Sequence, residues 1–316
     1  SAVMHPAIDA FKAMQPSGNL SSKLHLVGLL SDLSVAGEVN IPQARVQKIN
    51  IHQGFTRFSY GAEQVDVPEL RAGIFAGQVH GSARLSLGQH PLIDSAQMQG
   101  EQVSLAEIQS TFALALPADY APAGRVNFQV QASGPLNNPR AHGRLSSARV
   151  DFPASHKLAE ITGMMLNFDY SQPLTRATLQ ALSADAGAVK MGLYLRALDD
   201  LDVWLDTERL PLKTANKWTP VAYFKAGEAD FSARLKGSLQ AMQKNWQAFS
   251  AQGTVHGREL ALFYPLNPGS PIQQDLRQLD FELDWQQGQV QLNQLVLNQG
   301  KTALRGNGRI SLPGLE

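Results

Sequence analysis

The stretch that most constrains this chain is Gly124 to Gly143, GRVNFQVQASGPLNNPRAHG. Val126, Phe128 and Val130 alternate with Asn127, Gln129 and Gln131. A period of two puts the apolar side chains on one face of an extended strand and the amides on the other. Gly134-Pro135-Leu136-Asn137-Asn138-Pro139 follows, dense in residues that set turn geometry. After Gly143, Leu145 opens a second strand. A pattern of this kind does not sit on a helix, and a strand with one dry face must share a sheet.

The punctuation recurs. Gly18, Gly28 and Gly37 have the same spacings as Gly124, Gly134 and Gly143. Gly227 and Gly237 repeat the first spacing, and the next equivalent glycine is Gly253, delayed by an insertion. Leu24/Leu26, Val126/Phe128/Val130 and Phe231/Ala233/Leu235 stand before the middle glycines. The later halves align as well: Phe58-Ser59-Tyr60, Phe168-Asp169-Tyr170 and Leu283-Asp284-Trp285. Alternating runs close each unit at Ala83/Leu85/Leu87, Met191/Leu193/Leu195 and Ile310/Leu312. The spacing predicts a helical lead-in over 1–17 and β units over 18–123, 124–226 and 227–316, each roughly 100 residues long. Each unit holds about six to eight short strands, joined antiparallel by default.

Three segments depart from the alternation. Pro6 to Met14 carries Ile8, Phe11 and Met14 at helical spacing. Leu105 to Leu116 is open between strand and helix, and Leu205 to Lys225, broken by prolines, reads as a loop or short connector. Leu239, Met242, Trp246 and Phe249 form an amphipathic stripe over 239–249, a helix expected to cap an open sheet end.

Composition narrows the function. Lys+Arg and Asp+Glu each number 27, so no charge excess draws the chain to nucleic acid or an anionic membrane surface. There is no cysteine, hence no disulfide and no thiolate metal site. No apolar run reaches the ~20 residues of a membrane-spanning helix. The start lacks the basic and apolar regions of a signal peptide, and the end follows a strand-like run. The chain is read as part of a longer one, with any anchor or address outside it.

Catalytic groupings are sparse. His80-Gly81, His142-Gly143 and His256-Gly257 fall at different registers and read as partly exposed strand-end residues, not metal ligands. Asp199-Asp200-Leu201-Asp202 lacks the further oxygen ligands and glycine of a calcium loop and reads as a solvated turn. Gly73, Gly77 and Gly81 sit among strands, and Gly306-x-Gly308 lacks the third glycine of a dinucleotide site. The reading is a non-enzyme without cofactor or metal.

The strand–Gly-x-Leu-x-x-Pro-x-x-Gly–strand pattern of Gly134 to Gly143 resembles the AsmA-like family of bacterial envelope proteins, which includes TamB and YhdP relatives. The third unit is the most similar: Phe231 to Leu235, Gly237, the helix around Trp246, Gly253-Thr254-Val255, Gly257, Gly288 to Leu292, and Leu304 to Ile310. The first unit departs from it, since Gly28-Leu29-Leu30-Ser31-Asp32 lacks the proline. The resemblance implies a mostly β fold: a long antiparallel sheet curled, taco-like, into a repeating apolar groove, with a few short helices at its edges. It implies a periplasmic protein of a diderm bacterium, anchored in the inner membrane, with protein partners at either membrane. Its cargo would be phospholipid acyl chains moving between the membranes. The groove-facing candidates are then Leu24, Leu26, Phe58 and Tyr60 in the first unit, Val126, Phe128, Val130, Phe168 and Tyr170 in the second, and Phe231, Leu283 and Trp285 in the third. Two other functions compete with this one. A chaperone or scaffold for outer-membrane protein assembly would offer sheet edges to added strands. A carbohydrate-binding β-solenoid would need regularly stacked exposed aromatics, and aromatics make up only 7 % of the chain.

Overall fold

The computed structural model describes residues 17–28, 34–112, 121–153, 160–183, 187–197, 199–216, 223–244, 248–264, 272–286 and 288–311. Most of these are strand. The expected lead-in helix and the end of the 239–249 helix around Trp246 lie outside them. The chain divides into two compact units, Ser1–Pro153 with Asp169–Ser171, and Ala154–Phe168 with Gln172–Glu316.

The first unit contains β1 (Ser17–Val27), β2 (Ser34–Val46), β3 (Ile49–Gly61), β4 (Gln64–Ile74), β5 (Gly77–Ser86), β6 (Leu92–Ser104), β7 (Ala123–Pro135) and β8 (Arg140–Asp151). Each pairs antiparallel with the next, from β1 to β8. The opening stretch of the sequence is thus the β7–β8 hairpin, and Asn138 N–H donates to the Pro135 carbonyl in its turn. Helix α1 (Leu105–Phe112) follows β6. Ser104 and Glu107 form the S-x-x-E signature of a helix start, and the Glu107 N–H donates to Ser104 Oγ at 3.4 Å. That resolves the ambiguity of Leu105 to Leu116 as far as Phe112.

The second unit is another meander. After β9 (Ile161–Ser171) come β10 (Leu174–Ser183), β11 (Gly187–Arg196), β12 (Asp200–Pro211), β13 (Tyr223–Ser238), β14 (Ser250–Tyr264), β15 (Ile272–Gln286), β16 (Gln289–Gln299) and β17 (Thr302–Ser311). Every neighbour from β10 to β17 is antiparallel. No pairing between β1 and β8, or between β10 and β17, is found among the described residues, so neither meander closes into a barrel. Leu205 to Pro211, expected as loop, continues β12. Leu201, Val203 and Leu205 keep the alternation going, and Pro211 is tolerated because it ends the strand. Helix α2 (Leu212–Ala215) follows at once, and α3 (Leu239–Lys244) fills part of the expected 239–249 helix before β14 begins at Ser250.

The glycines that open the three sequence units share one geometry. Gly18, Gly124 and Gly227 have φ of 133°, 137° and 116°, a region that L side chains avoid. A Cβ on each would strike the adjacent strand's backbone, at 2.4 Å from the Gln43 carbonyl oxygen, 2.7 Å from that of Arg149 and 3.0 Å from that of Glu259.

Each unit buries a small core toward one end of its strands. In the first it comprises Ala72, Val79, Val103, Val126 and Val150. Ala72 faces Val79 and Val103 faces Val126 in the register. In the second, Leu212 of α2 packs with Ala229, Leu260 and Leu276, flanked by Phe224, Val255, Leu262, Leu279 and Leu297. Bulges place these residues. Gln102 (φ 53°) sits at a register shift in β6, and the next residue, Val103, is fully buried. The bulge turns the Gln102 N–H out of the ladder, where it donates to Asn127 Oδ1 at 2.8 Å. Arg209 (φ 57°) does the same in β12, donating to Asp230 Oδ1 at 2.9 Å. Glu259 (φ 50°) precedes the buried Leu260. A non-glycine residue in this conformation costs about 1–2 kcal/mol, so the satisfied N–H and the buried neighbour must offset it.

The core is where truncation should be felt. Leu260→Ala, at a site 1 % exposed, should lower unfolding free energy by about 2–5 kcal/mol in urea titration. Leu24→Ala, at a site 54 % exposed, should change it by no more than about 0.5 kcal/mol.

Candidate functional site: an apolar sheet face

Away from those cores the sheet carries apolar residues in lateral rows. In the first unit the register runs Leu26–Val35–Tyr60–Val65–Leu85–Ile93 across β1 to β6. A second row joins Leu24, Gly37 and Phe58. Met98 faces Val130, and Gly100 faces Phe128, which faces Leu145. In the second unit one row is Leu193–Val203–Leu235–Ala251–Trp285–Val290. Beside it run Met191–Leu205–Ala233–Gly253–Leu283–Leu292 and Val189–Thr207–Phe231–Val255–Phe281–Leu295. Register shifts at Ile93/Ala96, Gly100/Val103 and Glu282/Leu283 insert extra residues, yet the apolar positions stay on one side.

These rows are half-buried. Phe58, Tyr60, Phe128, Val130, Phe231, Leu283 and Trp285 are all intermediate in exposure, as are Val35, Val65, Leu85, Leu193 and Val203. Leu24 and Leu26, on β1, are more exposed, at 54 % and 59 %. Val126 differs: at 1 % exposure it lies inside the core at the strand end. Phe168 and Tyr170 are half-buried in β9 and alternate with exposed Asn167 and Asp169. The rows thus bring together apolar residues from fourteen strands, eight in the first unit and six in the second, without sealing them. Val35, Leu85, Leu193 and Val203 were not among the groove candidates, although the alternation that marks them is in the sequence.

Local packing flattens the rows. The Phe128 ring lies over Gly100, so close that a Cβ there would be 2.1 Å from Cε1. Phe249 stacks on Trp285, with ring centroids 5.9 Å apart and planes tilted by 18°.

The opposite face is a lattice of cross-strand ion pairs. Arg57 bonds Glu38 at 2.9 Å, Arg84 meets Asp66 at 3.4 Å, and Arg258 meets Asp230 at 3.1 Å. Lys190 donates to Glu208 at 2.6 Å, which holds its ammonium above the usual lysine range. Arg234 grips Asp202 through two hydrogen bonds of 2.8 and 2.6 Å, and this guanidinium holds the Asp202 carboxyl below the usual carboxylate range. Exposed pairs of this kind contribute about 0–1 kcal/mol each. Their larger effect is to mark this face as wet and so to fix which face is dry.

The histidines belong to the wet face and stand within strands, not at their ends. His80, His142 and His256 are exposed on β5, β8 and β14, and His256 Nδ1 lies 3.2 Å from Asp280. The Asp199 to Asp202 stretch is not an idle turn. Asp199 accepts from Ser238 Oγ at 2.8 Å and from the Gln240 N–H at 2.9 Å, fastening the start of α3. Among the described residues no group of three His, Asp or Glu could hold a metal ion, and no helix is long and apolar enough to cross a membrane. No family model, curated protein or solved structure matches this chain.

Asp199 also sets an acid limit. The Gln240 N–H, then Ser238, lower its carboxyl from the ordinary range. A carboxyl lowered on folding contributes stability above its unfolded pKa and loses it as pH falls through the folded value. Asp199→Asn should therefore lower the urea midpoint at pH 7 and narrow its gap to wild type at about pH 3. An equal gap at both pH values would remove Asp199 from the account.

Proposed function

We propose that each apolar face is a segment of an open, curled β-groove that shields lipid acyl chains, in a repeating AsmA-like protein of the bacterial envelope. The observation that carries this reading is the combination of continuity and openness. Apolar rows run across six strands in each unit, and most of their residues are neither sealed nor fully wet. A closed sandwich interior would bury the same positions almost completely.

The energetics suit a passive path. A 16-carbon acyl chain in water costs about 0.8 kcal/mol per methylene, roughly 13 kcal/mol in all. A half-buried apolar row offsets much of that cost wherever the chain rests. Nothing titrates and no bond changes, so neither acid nor metal is required. The charged face keeps the other side in water. On this reading the cargo is phospholipid in transit through the periplasm between inner and outer membranes, and proteins at the two membranes would load and receive it. The glycines at Gly18, Gly124 and Gly227, with their shared left-handed geometry, support a repeating unit.

Photo-crosslinking in the cell, with the full-length protein, tests the reading. Photoreactive residues at Phe58, Phe128 and Phe231 should capture phospholipid, whereas those at Arg57, Gln129 and Ser232 on the wet face should not. Capture of nascent outer-membrane barrel proteins without lipid would favour the scaffold reading instead. Equal lipid capture on both faces would contradict the groove.

A further inference from the structure

We propose that the charged face of the second unit carries a glycan site, where an extended chain of β-linked, uncharged sugars lies across the strands from β12 to β17. One side chain per strand marks the path. Trp204, Arg234, Gln252, Asp284, Gln291 and Arg309 face one another in register, and each pair lies in an unshifted stretch of its ladder. Neighbouring strands stand about 4.8 Å apart. That spacing is close to the rise of one sugar in an extended β-linked chain, so each sugar meets a new side chain.

The path begins on an aromatic platform. The Trp204 indole lies flat on Gly192 of β11, where a Cβ would be 2.1 Å from Nε1 and 2.3 Å from Cε2. Gly192 is buried beneath the ring, and Trp204 is half-buried. Tyr194, 37 % exposed, stands diagonally beside it. This indole belongs to neither core and sits among ion pairs. Its electron-rich face suits the C–H face of a pyranose. Beyond it the path is polar. A concavity of about 490 Å³ lies over the row, lined by Arg234, Gln252, Asp284, Gln291 and Arg309. Gln252 and Gln291 are exposed, and an amide both donates and accepts, as a sugar hydroxyl does. Arg309 donates to Gln291 at 3.2 Å. Asp284 accepts from Asn293 at 2.6 Å through one oxygen, while its Oδ1 has no donor among the described residues. Arg234, Lys236 and Arg309 stand against Asp202 and Asp284, so the path has little net charge and does not favour a polyanion.

Isothermal titration calorimetry on this chain, with cellohexaose and chitohexaose as probes, tests the site. At least one hexaose should bind, and the matching disaccharide, which spans only two strands, should bind about tenfold more weakly or worse. Added salt should leave the affinity unchanged, because the ligand carries no charge. Trp204→Ala should weaken binding by about tenfold. Gln252→Ala and Gln291→Ala, at exposed positions where the fold tolerates change, should each weaken it by about threefold to tenfold. Gln129→Ala, on the charged face of the first unit, should have no effect. Failure of both hexaoses to bind overturns the proposal. So does equal affinity for hexaose and disaccharide, or binding that Gln252→Ala and Gln291→Ala leave unchanged. The site lies on the face opposite the apolar rows, so its failure leaves the lipid reading untouched.

Discussion

Everything in this structure depends on lateral register. Each strand carries apolar residues on alternate positions, and the sheet is amphipathic only because neighbouring strands align those positions. A slip of one residue in any hairpin would exchange that strand's faces. Leu193, Val203, Leu235, Ala251, Trp285 and Val290 come from six strands, yet they form one line. The cross-strand ion pairs act on the same degree of freedom from the other side. A slipped β12 would part Asp202 from Arg234 and carry it toward the apolar row. Individually weak pairs can therefore discriminate strongly between registers.

Bulges would ordinarily spoil such parity, and here they preserve it. Gln102, Arg209 and Glu259 each take a left-handed conformation beside the core, and the side chains of Asn127 and Asp230 satisfy two of the displaced N–H groups. The strand end turns into a compact core under a helix, while the rest of the strand stays open. A sheet of this design has two zones. One is sealed and supplies stability. The other is half-wet and remains free to meet a ligand.

The sequence made the strands and their dry faces legible, because period-two alternation is a local signal. It also marked Gly18, Gly124 and Gly227, whose shared φ is a property that only glycine supplies cheaply. What could not be read was set by distant contacts. Val126, Phe128 and Val130 look alike in sequence, but Val126 alone lies opposite Val103 in the sealed zone. Leu205 to Pro211 has the proline of a loop, yet it continues the alternation of Leu201, Val203 and Leu205 to the end of β12. Asp199 resembled a solvated turn residue because its partners, Ser238 and Gln240, lie 39 and 41 residues away.

A dry face left open is the central claim, and tryptophan reports on it directly. Trp285 belongs to an apolar row, whereas Trp204 pairs with Gly192 and Arg234 on the charged face. Variants retaining only one of these tryptophans can be titrated with a phospholipid brominated along its acyl chains, a contact quencher of indole fluorescence. The account predicts saturable quenching of Trp285 and little of Trp204. Equal quenching of both, or none at Trp285, would contradict it.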